Sequence, residues 1–180
     1  MANLSGKRIA VVVHDYFEQV EFTGPRDELT AAGATVDVIS ATDSKELHGL
    51  HHVEHGDMFQ ADKLLGDADP ANYDALVLPG GAINADHLRM VQKARDFAVA
   101  MHAAGKPVAA ICHAPWLLVS SGLANGRHLT SYFTIQDDVR NAGATWSDEP
   151  VVVDDNIITS RKPDDIPAFT VAIIAALSAT

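Results

Sequence analysis

Short apolar runs punctuate the chain at Ile9-Ala-Val-Val-Val13, Ala75-Leu-Val-Leu78, Val108-Ala-Ala-Ile111 and Val151-Val-Val153. A run this short with no polar face to offer water reads as a strand covered on both sides. Thr35 to Ser40 alternates instead and reads as a strand nearer the edge of the same sheet. Between these lie helical patterns. Leu88, Val91, Ala94, Ala98 and Met101 fall on one stripe at helical spacing, with Arg89, Gln92, Lys93 and Asp96 on the outer face. Ile166, Phe169, Ile173 and Leu177 form a second stripe, opened by Asp164, Asp165 and Pro167. Helix-like segments stop at Gly33, Gly105, Gly122 and Gly143, where glycine takes the left-handed cap conformation at little cost.

Strand and helix in alternation predict an α/β fold, a mostly parallel sheet with helices on both faces. Residues 44–72 are less regular, with a turn at Asp69-Pro70-Ala71-Asn72 and a small hairpin expected before it. No repeat or linker divides the chain, so a single domain over residues 1–180 is expected.

Charge narrows the range of partners. The chain has 180 residues, 13 Lys+Arg against 24 Asp+Glu, and a formal net charge of −11. Such a chain repels phosphate backbones and anionic headgroups, so neither nucleic acid nor membrane is expected as a partner. Cys112 is the one cysteine, which excludes an intrachain disulfide and fits a reducing compartment. The apolar run after the N-terminus is too short for a signal peptide and Phe169 to Ala176 too short for a membrane span. A cytoplasmic location is the expectation.

Candidate chemistry gathers at three strand ends. In Pro107-Val-Ala-Ala-Ile-Cys112-His113-Ala-Pro-Trp the cysteine stands at a sharp turn between strand and helix. That is the layout of a nucleophile elbow, and a helix N-terminus beside a thiol favours the thiolate. Gly80 and Gly81 follow the second run, where backbone N–H groups could hold an oxyanion. Glu18 follows the first strand, and a protonated carboxyl there could hydrogen-bond the sulfur and shuttle a proton, with Glu21 competing for the role. All three lie past the carboxyl ends of parallel strands, where open α/β sheets carry their ligand crevice.

His113, next to the cysteine, offers a backbone N–H and positive field rather than an assured contact with the thiol. His48, His51, His52, Glu54 and His55 have the residue types of a metal site, but Gly49 argues against a helix there. A polar hairpin surface is the default and no metal is expected. No cofactor motif is present, so no cofactor is expected. His128 reads as structural.

Four motifs in order, Phe17-Glu18-Gln19-Val20-Glu21, Leu76-Val77-Leu78-Pro79-Gly80-Gly81, Ala110-Ile111-Cys112-His113 and Ser160-Arg161-Lys162-Pro163-Asp164-Asp165, resemble the PfpI family. These are the intracellular protease I and general stress proteins of the parkinsonism-associated deglycase superfamily. The resemblance runs from about residue 7 to 178. It implies a flavodoxin-like sandwich and a homodimer or hexamer. It also implies Cys112 as nucleophile with Glu18 beside it. In peptidase-like members an acid from the neighbouring subunit joins the histidine, and by motif position that acid is Asp86. Ala114 stands where glycine is usual, and Ala85 where proline often precedes the acid.

The resemblance leaves several activities open. The first expectation is a stress-response enzyme acting on reactive carbonyls, as a glutathione-independent glyoxalase or a deglycase. Its substrates would be small carbonyl compounds or glycated protein. The alternatives are a cysteine peptidase using Cys112, His113 and Asp86 on peptides, and a redox-sensing, chaperone-like stress protein. A class I glutamine amidotransferase needs a His-x-Glu pair after the cysteine, and His128-Leu129-Thr130 does not supply it.

Overall fold

Three of the four apolar runs form the middle of a seven-stranded sheet in the computed structural model, which describes residues 3–178. In chain order the strands are β1 (Arg8–Val13), β2 (Phe17–Glu18), β3 (Thr35–Ser40), β4 (Glu46–His51), β5 (Glu54–Gln60), β6 (Lys63–Leu64), β7 (Ala75–Leu78), β8 (Val108–Ile111), β9 (His128–Leu129), β10 (Thr145–Trp146), β11 (Val151–Asp154) and β12 (Ile157–Ser160). The helices are α1 (Gln19–Ala31), α2 (Ala82–Leu88), α3 (Gln92–Ala103), α4 (Pro115–Ser120), α5 (Gln136–Asn141) and α6 (Ile166–Ser178). The main sheet runs β11-β12-β8-β7-β1-β3-β6, parallel throughout except for β11.

Alternation along the strands sorts the core into two layers. Ile9, Val11, Val13, Val77 and Ile111 meet Phe22 of α1 and Phe169 and Ile173 of α6. Ala10, Val12, Leu76, Leu78 and Ala110 face the other way, onto Phe97 and Met101 of α3 and Leu117 of α4. Each large apolar side chain buried this way contributes about 1.5–3 kcal/mol. The result is the flavodoxin-like α/β sandwich expected, with helices on both faces.

Some elements differ from the sequence expectation. Val151–Val153 is not a doubly covered strand: it is the antiparallel edge, with Val153 exposed. The covered strand is its hairpin partner Ile157–Ser160, all four residues buried, whose Thr159 and Ser160 disguise it in the sequence. The stripe from Leu88 to Met101 is two helices. The chain turns at Met90, and the Arg95 guanidinium donates to the Arg89 carbonyl at 2.5 Å, filling an acceptor that a continuous helix would have used.

The irregular stretch holds the expected hairpin. β4 and β5 pair antiparallel, and β2 joins β4 to make a separate three-stranded sheet. The Asp69-Pro70 turn is a short 3-10 helix capped by the Asp69 side chain, which accepts from the Ala71 N–H at 2.9 Å. Among the described residues, no helix is long and apolar enough to cross a membrane.

Candidate active site

The strand order reverses between β1 and β7, since the chain steps from β1 to β3 on one side and to β7 and β8 on the other. A crevice opens at the carboxyl ends of strands at such a point. The segments leaving β1, β7 and β8 meet there around a pocket of about 310 Å³.

Cys112 leaves β8 with φ +63°, a left-handed conformation that costs a residue with a side chain about 1–3 kcal/mol. Two backbone hydrogen bonds hold it. The Cys112 N–H donates to Ser160 O at 3.0 Å, and Tyr132 N–H donates to Cys112 O at 2.8 Å. So braced, the thiol is 7% exposed and lines the pocket.

The carboxyl that faces the sulfur is Glu21, not Glu18. Glu21 is 0% exposed, one turn into α1, with its oxygens toward the Cys112 thiol and the Gly80 backbone N–H. Both oxygens are buried, and neither makes a hydrogen bond of ordinary geometry among the described residues. Burial pushes the Glu21 carboxyl up to about 8. Glu18 lies in the two-residue strand β2 and turns to the pocket wall. Its Oε2 accepts the His52 N–H at 3.0 Å, which fixes the carboxylate to the tip of the β4–β5 hairpin.

The thiol itself departs from the expected low pKa. Burial pushes it up, and the Glu21 carboxyl beside it pushes the same way. The Gly81 and His113 backbone N–H groups oppose this, favouring the thiolate. At neutral pH these effects favour the protonated thiol and the protonated Glu21 carboxyl.

The His113 ring, expected to diverge from the thiol, meets it with Sγ and Nδ1 3.2 Å apart. Its Nε2 lies 3.4 Å from Thr134 Oγ1, and the ring stacks on Tyr132 with centroids 4.9 Å apart. Burial lowers the His113 pKa, so the neutral ring is favoured. With the proton on Nε2 facing Thr134, Nδ1 is left to accept the thiol proton; this tautomer is assigned from the hydrogen-bond pattern.

The two glycines have steric reasons to be glycine. A Cβ on Gly80 would lie 2.6 Å from Cys112 Cβ and run into Glu21 Oε2. A Cβ on Gly81, whose φ is +90°, would lie 2.5 Å from the Glu18 backbone nitrogen and 2.9 Å from Phe17 Cα. Both neighbours of Gly81 are backbone and cannot rotate away. Gly81→Ala is therefore expected to cost at least about 1–3 kcal/mol of stability and displace β2. Urea unfolding measures this, and an unchanged midpoint contradicts the account.

Asn84 was not singled out in the sequence. Fully buried on α2, its Nδ2 donates to Pro79 O at 3.0 Å and Gly80 O at 2.9 Å, while its Oδ1 accepts the His14 N–H at 2.7 Å. It ties the glycine loop to the exit of β1, and only its inward place on a short helix could have signalled this. Asp86, on the same helix, is exposed and outside the pocket wall of its own chain. Of the histidine-rich segment, His48 pairs with Asp15 at 3.2 Å and His52 with Glu18, while His51, Glu54 and His55 are exposed on the hairpin. Among the described residues, no three potential ligands converge on a metal position.

Comparison with known proteins places this arrangement. The DJ-1/PfpI family profile matches residues 7–176. Protein/nucleic acid deglycase 2 of Escherichia coli (strain K12) is 45% identical over 169 residues, covering 91% of this chain and 93% of its own. A protein of Bacillus subtilis (strain 168), provisionally named cysteine protease YraA, is 42% identical over 163 residues, 91% of this chain and 94% of its own. The crystal structure of Drosophila melanogaster DJ-1beta superposes with a TM-score of 0.88 at 28% identity, covering 100% of this chain and 92% of that one. With a profile spanning nearly the whole sequence and close relatives matched along almost their full lengths, the chain belongs to the DJ-1/PfpI family.

Proposed function

We propose that the protein is a cysteine-dependent enzyme acting on small reactive carbonyls, converting a 2-oxoaldehyde such as methylglyoxal into the hydroxy acid. The observation that carries this reading is the buried Glu21 carboxyl set against the Cys112 thiol, with a pKa raised to about 8. A carboxyl poised there can hold or release a proton at neutral pH at little cost. The name of the Escherichia coli relative, a deglycase, points to the same class of electrophile.

The steps balance as follows. Cys112 Sγ attacks the aldehyde carbon as its proton passes to His113 Nδ1. The carbonyl electron pair moves to oxygen, which takes the Glu21 proton to give a hemithioacetal and leaves Glu21 a carboxylate. That carboxylate takes the proton from the former aldehyde carbon and returns it to the neighbouring carbon, while the hemithioacetal hydroxyl passes its proton to the ketone oxygen. The product is a thioester of the 2-hydroxy acid. One water then cleaves the thioester: its hydroxyl goes to the acid and its proton to Glu21, while sulfur leaves with the proton held on His113, which restores the thiol. The Gly81 and His113 N–H groups stabilise negative charge on sulfur. Glu18, the shuttle expected from sequence, instead forms part of the wall.

Consumption of methylglyoxal and formation of lactate test the reading. Wild type is expected to convert one into the other, and Glu21→Gln to lose far more rate than Glu18→Gln. Equal losses in the two variants, or no lactate from wild type, would overturn it.

A second reading, peptide hydrolysis, draws on the contact between Sγ and Nδ1 at 3.2 Å. Among the described residues of one chain Nε2 meets Thr134 and no acid, so this reading needs Asp86 from another copy in a dimer or hexamer. Unchanged peptide cleavage in Asp86→Ala removes it. The redox-sensor reading has less support, because oxidation follows thiolate character and access, and burial opposes both.

A further inference from the structure

One side of the pocket is acidic. Its wall carries Glu18 and Glu21 but no lysine or arginine. The one ion-pair partner of Glu18 among the described residues is the exposed His52 ring, 3.8 Å away. Glu18 is 8% exposed and anchored through the His52 N–H, so its charge is fixed in position and shielded from bulk water. Burial favours the neutral His113 ring, and among the described residues no lysine or arginine lines the pocket to offset Glu18. Tyr16 and Tyr132 line the same space, and aromatic faces also attract cations. Glu21 lines the same space, and both of its oxygens are buried without a partner of ordinary geometry among the described residues.

We propose that Glu18 selects substrates by charge, drawing carbonyl compounds that carry a cationic amine or guanidinium to Cys112 and turning away those that carry carboxylate or phosphate. This rests on the carbonyl reading only for what the substrate is; the selection itself acts on anything that reaches the sulfur.

Matched methanethiosulfonates test it without relying on turnover. One carries a trimethylammonium group, one a sulfonate and one no charge. All three transfer their thioalkyl group to the Cys112 thiolate and release methanesulfinate, so the ionisation of the thiol cancels in rate ratios. At low ionic strength, wild type is expected to prefer the cationic reagent over the anionic by roughly a hundredfold, about tenfold per unit of reagent charge. Glu18→Gln should reduce that ratio about tenfold or more. Glu18→Asp, which keeps the charge, should retain most of it. Glu28→Gln removes one exposed charge from the outer side of α1 and controls for the overall net charge of −11.

If Glu18→Gln shifts the ratio no more than Glu28→Gln does, or if Glu18→Asp shifts it as far as Gln, charge selection by this residue is wrong. Methylglyoxal consumption measured on the same samples separates the two claims. A wild type that discriminates among the reagents but leaves methylglyoxal intact keeps the selection and loses the proposed reaction.

Discussion

Cys112→Ser is expected to reduce conversion of methylglyoxal to lactate by at least about a thousandfold while leaving the fold in place. A hydroxyl is far less acidic than a thiol and a poorer nucleophile, and neither the His113 ring nor the Glu21 carboxyl is basic enough to ionise it. The substitution leaves the backbone bonds to Ser160 and Tyr132 untouched, since they use the Cys112 N–H and carbonyl. The strained φ stays strained to the same extent. A melting temperature within a few degrees of wild type, together with loss of lactate formation, is the predicted pair of readings. More than a tenth of the wild-type rate in a sample shown free of wild-type protein would mean that the sulfur is not the nucleophile.

The second large effect belongs to Glu21→Gln. Removing a positioned acid–base group typically costs about 10²–10⁴ in rate, and the loss should fall on kcat, because glutamine fills the same space. The same variant has a stability signature of opposite sign. The Glu21 carboxyl titrates from its ordinary 4.5 in the unfolded chain to about 8 in the folded one. Between those values the folded state holds a proton that the unfolded state has released. Stability therefore falls as pH rises through that window, by up to ~1.4 kcal/mol per unit. Below it there is no penalty, and above about 8 the penalty is complete, amounting to a few kcal/mol. Glutamine never ionises, so the variant should match wild type near pH 4.5 and exceed it at pH 8.5, as read from urea midpoints across pH. Parallel pH curves for the two proteins would show that Glu21 is not buried as described. A slow enzyme that is the more stable one at alkaline pH is not accounted for by general misfolding.

The two carboxyls illustrate what local pattern reveals and what it hides. In Phe17-Glu18-Gln19-Val20-Glu21 nothing in composition tells which acid turns inward, and both were in view. The choice is made from a distance: Phe17 and Glu18 pair with Gly49 and Leu50 of the hairpin, which keeps Glu18 extended and delays α1 to Gln19. Glu21 then falls one turn in, on the buried side. The core strands at Ile9, Ala75 and Val108 were legible because a doubly covered strand has no polar face to confuse the reading. Ile157–Ser160 was not, because its Thr159 and Ser160 hydroxyls are satisfied inside the protein. Thr159 Oγ1 accepts the Thr130 N–H at 3.0 Å, and Ser160 Oγ donates to Pro150 O at 2.8 Å. The glycine stops and the cysteine turn were legible for a similar reason, being local demands on φ. The thiol pKa moves against the expectation because a helix N-terminus is visible in sequence whereas burial, the larger effect, is not.

The bond from Cys112 N–H to Ser160 O also sets an order of events. Ser160 ends β12, the neighbour of β8, and lies 48 positions further along the chain. A nascent polypeptide that has emerged only as far as α5 possesses its cysteine and Tyr132 but lacks the second of the two hydrogen bonds that hold the turn. Competence therefore arrives late in synthesis, once the Ile157–Ser160 strand has docked, and a half-made molecule on the ribosome does not yet have its sulfur set for reaction.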